Sequence, residues 1–450
     1  MLRSIHPYNQ SLVAEFPLMS AGEVAQKIEK SSVAYKSWRK TSFEERSRLM
    51  KRAGEILRQN KKEYAQLITQ EMGKILPEAI AEIEKCAGGC DYFAQEAPRF
   101  LADTMITTEG RKSFVTYNPT GTILSIMPWN FPFWQVFRFA LPALMAGNVG
   151  MLKHAPNVTQ CALAIEKIFL EAGFPEGVFQ TLLIDVDQVE AILKHPAVQG
   201  VALTGSEAAG ASVAAIAGRN IKKSVLELGG SDPFIVLDDA DLAATVKVAV
   251  QSRMQNAGQS CIAAKRFIVV DKVRDEFIGL FQKGIEALKQ GNPFETGITT
   301  GPLARLDLAE KIEKQLEASV KAGAKLLTGG SRSGCNMVPA LITGVKAGMP
   351  AYDEETFGPL AALIAVHDEA EALEVANASR YGLGASIWTT DLERGERLAR
   401  QVESGSVFVN ALMKSDARLP FGGIKKSGYG RELAENGIRE FVNVKTIYVA

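Results

Sequence analysis

The chain has no excess of charge of either sign: 51 basic side chains balance 51 acidic ones among its 450 residues. That balance removes the nonspecific attraction that DNA or an anionic membrane surface requires, so neither nucleic acid nor a membrane is expected as a partner. Cysteine is scarce. Cys86, Cys90, Cys161, Cys261 and Cys335 are odd in number and scattered, which excludes a complete disulfide framework and fits reduced thiols in a cytoplasm. Cys86 and Cys90 stand four residues apart, but no second pair of ligands accompanies them, so no metal site is expected. Long apolar runs are missing as well. The most apolar region, residues 131–152, is interrupted by Gln135, Arg138 and Asn148, and the opening MLRSIHPYNQSLVAEF lacks the apolar segment of a signal peptide. A soluble cytoplasmic protein is the expectation. Repeats of fixed period and low-complexity tracts are absent. So are both glycine-rich phosphate fingerprints: there is no Gly-x-Gly-x-x-Gly, and the run from Gly423 to Ser427 has the wrong spacing for a Walker loop.

What is present describes a globular enzyme of two or three packed units, with 46% hydrophobic residues. Apolar residues at three- and four-residue spacing predict helices across residues 20–100, with Ser20 as a cap, and these read as surface-packing helices. Around the Asn-Pro-Thr-Gly turn at 118–121, Ser113–Tyr117 and Thr122–Ile126 read as the two strands of a hairpin arm. A strand then ends at Pro128 and a helix begins soon after Asn130. On that helix Trp134, Arg138 and Leu141 share a face. A charge in such apolar company must be paired: either Arg138 meets an internal carboxylate, or it faces a cavity and waits for an anionic substrate. From 148 to 236, short apolar runs alternate with helical ones, which predicts a doubly wound parallel sheet with Thr204-Gly205-Ser206 at a strand-to-helix junction suited to phosphate. A second α/β series follows to about 430. The terminal FVNVKTIYV alternates like an exposed strand that needs a partner, which another subunit would supply.

The stretch Gln255–Arg266, QNAGQSCIAAKR, sets Cys261 among small, polar, backbone-permissive residues. Buried structural thiols usually have apolar neighbours, so Cys261 is a candidate nucleophile. Together with Asn130, Glu227 in Glu-Leu-Gly-Gly, and Glu355 in Glu-Glu-Thr-Phe-Gly-Pro, it resembles the aldehyde dehydrogenase superfamily over nearly the whole chain. The resemblance implies an α/β fold with a Rossmann-like cofactor domain (1–100 and 120–228), an α/β catalytic domain (229–434) and a small β oligomerisation arm (101–119 and 435–450). It implies a thiolate at Cys261 adding to an aldehyde, with the Asn130 amide and the Cys261 backbone N–H holding the oxyanion and Glu227 as the base that hydrolyses the thioester. For NAD(P) it implies Trp129 and Lys153 at the adenosine ribose, Gly205 and Ser206 at the pyrophosphate, and Gly229, Glu355 and Phe357 toward the nicotinamide. Where NAD-preferring members carry a ribose-binding glutamate, this chain has Pro156, so NADP is allowed and NAD is not excluded.

Within the superfamily the stretches WNFPFWQVFRF, GQSCIAAKRF and MKSDARLPFGG resemble bacterial succinate-semialdehyde dehydrogenases. By that similarity Trp134, Arg138 and Ser415 line the substrate pocket, Arg138 and Ser415 taking the carboxylate of a short semialdehyde. A dehydrogenase for broader short-chain aliphatic or glutarate semialdehydes is the alternative; a non-catalytic nucleotide-binding protein of the same fold is the alternative from another class. Ala263 stands where some relatives carry a second cysteine, so a local disulfide switch is not expected there. A homodimer or homotetramer is implied.

Overall fold

The two main sheets meet end to end, and that junction positions everything that follows. The computed structural model describes residues 1–450. In the first sheet, strands 223–227, 198–204, 122–127, 149–154 and 179–181 run parallel in that spatial order, and residues 428–429 add an antiparallel edge beside 223–227. Ile123, Leu124 and Val201 are fully buried, which is what a parallel sheet with both faces covered demands. The second sheet has seven strands in the order 325–328, 340–343, 360–366, 264–270, 232–236, 384–388 and 406–409, parallel except at its first edge. The chain leaves the carboxyl ends of the first sheet at Pro128-Trp129-Asn130, Gly205-Ser206 and Leu228-Gly229. It enters strands of the second sheet just after Gly230, Cys261 and Glu355. Strand ends of one sheet therefore face strand starts of the other, and ligand crevices form at such carboxyl ends.

The doubly wound reading holds, and so do the helices of the first hundred residues: Ala21–Trp38, Phe43–Gln59, Lys61–Met72 and Leu76–Phe100. Ser20 opens the first of these with a full capping box, its hydroxyl accepting from the Glu23 amide while the Glu23 carboxylate reaches back. These helices are not mere surface cover, however. Met50, Leu57, Ile68, Cys86 and Phe93 sit in the largest apolar core, with the helix Trp134–Met145 packed against them.

Two further expectations are corrected. Residues 112–119 and 122–127 do not form a hairpin. The former strand pairs antiparallel with 442–449 and with 104–105, while the latter enters the parallel sheet between 149–154 and 198–204. At the crossing, Asn148 Oδ1 accepts from the Thr120 and Gly121 amides at 2.8 and 3.0 Å, and Gly121 takes a φ of 144°. A two-residue turn signal cannot compete with the burial that Ile123 and Leu124 gain on both faces of the larger sheet. The terminal strand likewise finds a partner for one of its edges within its own chain, at 112–119. No helix is long and apolar enough to cross a membrane.

Candidate active site

Cys261 lies between a strained turn and the strand Ala264–Val270. Asn256, Ala257 and Gly258 are consecutively left-handed, with φ of 53°, 51° and 74°. Each non-glycine in that region costs roughly 1–2 kcal/mol, so the surroundings must enforce it. Arg253, fully buried, donates to the carbonyls of Ala264 at 3.1 Å and Thr356 at 2.9 Å, and also to that of Gly358. A Cβ at position 258 would stand 2.3 Å from the Gly358 oxygen, so glycine is required there. Asn256 Nδ2 donates to the Asn130 and Gln259 carbonyls at 2.8 and 3.1 Å, and Asn130 Nδ2 donates to the Gln259 carbonyl at 3.1 Å. The loop and Asn130 are thus locked to one another. Lys265 Nζ donates to the Cys261 carbonyl at 2.5 Å and lies 3.6 Å from Glu355 Oε1. Burial pushes the Cys261 thiol up to about 12, against the opposing pull of Arg138 and Lys265. In the free chain the thiol is protonated at neutral pH.

Two cavities, of about 200 and 220 Å³, meet at Cys261 and Gln135, which line both. The first is walled by Trp129, Gly205, Ser206, Gly229, Glu355 and Phe357, with Asn130 beside Cys261. Its construction fits a dinucleotide. Ser206 caps the helix Glu207–Arg219, accepting from the Ala209 amide at 3.2 Å, so that helix start is turned to the cavity with its free amides and positive dipole end. Gly229 lies so close to Glu355 that a Cβ would sit 2.4 Å from its Oε2, and Glu355 Oε1 accepts from the Gly230 amide at 3.0 Å. Trp129 and Phe357 pack edge to face at 5.8 Å. Lys153 and Pro156 lie outside this wall, Lys153 near the end of strand 149–154 and Pro156 at the start of a short 3-10 turn. Next to Pro156, both side-chain polar atoms of buried Asn157 lack partners.

The second cavity holds Trp134, Arg138 and Ser415, as expected of a substrate pocket. Ser415 Oγ accepts from Trp134 Nε1 at 2.9 Å and from Lys85 Nζ at 2.8 Å. Arg138 satisfies both readings of its charge. Its guanidinium pairs with the buried carboxylate of Glu432, donates to Thr204 Oγ1 at 3.2 Å and lies over the Phe421 ring at 4.5 Å, and yet it lines the cavity.

A model of the aldehyde dehydrogenase family matches residues 1–447. The chain belongs to the aldehyde dehydrogenase family. A relative from Synechocystis sp. named probable succinate-semialdehyde dehydrogenase [NADP(+)] is 50% identical over all of both chains. One from Escherichia coli named succinate semialdehyde dehydrogenase [NAD(P)+] is 43% identical over 99% of this chain and 97% of its own. The crystal structure of succinic semialdehyde dehydrogenase from Streptococcus pyogenes in complex with NADP+ superposes with a TM-score of 0.98 at 40% identity, covering all of both chains.

In this aldehyde dehydrogenase, Glu227 ends strand 223–227 but lines neither cavity. It is 2% exposed, both carboxylate oxygens lack hydrogen bonds, and Oε1 lies against Gly422, where a Cβ would be 2.7 Å away. Burial drives its carboxyl well above the usual range and Glu432 adds to that, while Arg138 opposes it. The supporting residues escaped sequence reading. Lys74, paired with Glu82 and donating to the Asn130 carbonyl at 3.0 Å, and Lys85 both come from the first helical region, where charges read as solvated. For Glu432 a signal did exist: one of the two readings of Arg138 called for an internal carboxylate.

Proposed function

We propose that the enzyme oxidises succinate semialdehyde to succinate with NAD(P). The observation that carries this is the position of Cys261, where the cavity walled by Trp129, Ser206, Glu355 and Phe357 meets one whose wall bears Lys85, Arg138 and Lys414 and no carboxylate. Such a wall favours an aldehyde whose far end is an anion. The names of the close relatives support the same substrate, and NADP as a cofactor.

Cys261, once deprotonated, adds to the aldehyde carbon, and the C=O electron pair becomes an alkoxide. Asn130 Nδ2 and the Cys261 N–H hold that oxygen; one such donor is worth roughly 2.7–4 kcal/mol in other enzymes. Bound nicotinamide supplies the acceptor for the hydride that leaves as the C=O bond re-forms. Cys261 then carries a thioester. Glu227 takes a proton from the water that attacks it, and the acid departs while the thiol is restored. To do so its side chain must turn from Gly422 toward the cavity, a rotation that breaks no hydrogen bond because it has none.

No acid stands at Pro156 to repel a 2′-phosphate, and Lys153 is near in sequence to attract one, so both dinucleotides belong to the proposal. Residues 1–100 with 120–228, residues 229–434, and residues 101–119 with 435–450 form three units, and the enzyme assembles as a homodimer or homotetramer. The outer edge of strand 442–449, with Val444 and Tyr448 exposed, supports assembly. Five cysteines without a disulfide support a cytoplasmic setting. The test is the initial rate with succinate semialdehyde and with uncharged butanal, each with NAD+ and NADP+. Strong preference for the acid is expected; equal rates would leave an aldehyde dehydrogenase of another substrate.

A further inference from the structure

On the helix Leu76–Phe100, Lys85 lines the substrate cavity beside Trp134 and Ser415. It forms no ion pair. Its Nζ donates to Ser415 Oγ at 2.8 Å and lies 4.3 Å from the centre of the Trp134 ring. The other buried cation that lines this cavity is matched: Arg138 pairs with Glu432. Lys414, the third cation of the wall, is solvent-exposed, so water already solvates it. Lys85 is half-buried, and a partly desolvated ammonium without a counter-ion carries a cost that a carboxylate arriving in the cavity would lower.

We infer that Lys85, with the Ser415 hydroxyl and the Trp134 N–H, joins Arg138 in receiving the distal carboxylate of the substrate. Trp134 and Ser415 are then more than lining. Ser415 is held between two donors and passes the alignment on to whatever anion sits beside Lys85. This inference rests on the semialdehyde reading and adds the residue that enforces it.

Charge balance around Lys85 agrees. Burial pulls its ammonium down to about 8, and Arg138 pulls the same way; Glu82 and Cys86 on its own helix and Asp416 on the facing loop oppose them. Glu82 is committed to Lys74 and Asp416 to Arg418, so neither serves as a counter-ion. As pH rises through 8 the cation is lost, and KM for the acid should climb while KM for an uncharged aldehyde does not.

The experiment compares kcat and KM for succinate semialdehyde and butanal in the full-length enzyme and in Lys85→Met and Lys85→Arg, with thermal melting to check folding. In Lys85→Met the preference for the acid, as kcat/KM over that for butanal, should fall on the order of ten- to a hundredfold, chiefly through KM. Lys85→Arg should recover a large part of it, and the alkaline rise of KM should vanish in Lys85→Met. An acid preference that survives Lys85→Met, or a parallel loss with both aldehydes, overturns the role of Lys85 while leaving the substrate reading intact. A wild-type enzyme with no acid preference overturns both.

Discussion

The cofactor-side and substrate-side cavities share Cys261 but are built by opposite means. The cofactor side is made largely of backbone: the start of a capped helix after Ser206, Gly229 where a side chain would run into Glu355, and an edge-to-face aromatic pair. The substrate side is made of buried charge, with Arg138 matched to Glu432 and Lys85 unmatched. A backbone cradle recognises what many dinucleotides have in common. An unpaired cation discriminates among aldehydes, because only a substrate with a carboxylate can complete it.

Three perturbations probe that contrast. Cys261→Ala, at the junction, should reduce turnover on the order of 10⁴-fold or more, while dinucleotide binding, measured by fluorescence titration, persists; appreciable turnover would remove the nucleophile from Cys261. Glu432→Gln strips the matched cation of its partner without touching the cofactor wall. Leaving Arg138 charged and alone in the interior should destabilise the fold by about 3–5 kcal/mol, and an unchanged denaturation midpoint would show that Arg138 has another counter-charge. The smallest effect concerns the thiol. With burial holding Cys261 protonated up to about 12, alkylation by iodoacetamide in the free enzyme should accelerate about tenfold per pH unit between pH 7 and 9, since only the thiolate reacts. A plateau near pH 7 would mean that Arg138 and Lys265 prevail over desolvation.

Local pattern served well where the physics is local. The βαβ alternation of residues 148–236, the Ser20 cap and the odd backbone freedom around Cys261 are all legible because periodicity, capping and glycine usage act over a few residues. It misled at 118–121, where a turn signal suggested a hairpin but burial of the following strand on both faces sent the chain to another sheet. Lys74, Glu82 and Lys85 were illegible for a related reason. A charge on an amphipathic helix, or in the short connection before it, looks solvated in sequence, and only packing shows that Lys74, just ahead of the helix, ends beside Asn130 and Lys85 beside Ser415.

The sequence by itself determined the family: Asn130, Glu227, Cys261 and Glu355 stand in that order in their motifs, set among residues whose local conformations it also specified. Tertiary structure alone decided electrostatic partnership. Arg138 called for a partner, and the structure supplies Glu432, 294 residues away along the chain (432 − 138) and brought beside it by the strand that closes the first sheet, while leaving Arg138 in the cavity wall. Attraction between charges depends on distance and desolvation, and neither is written in sequence separation.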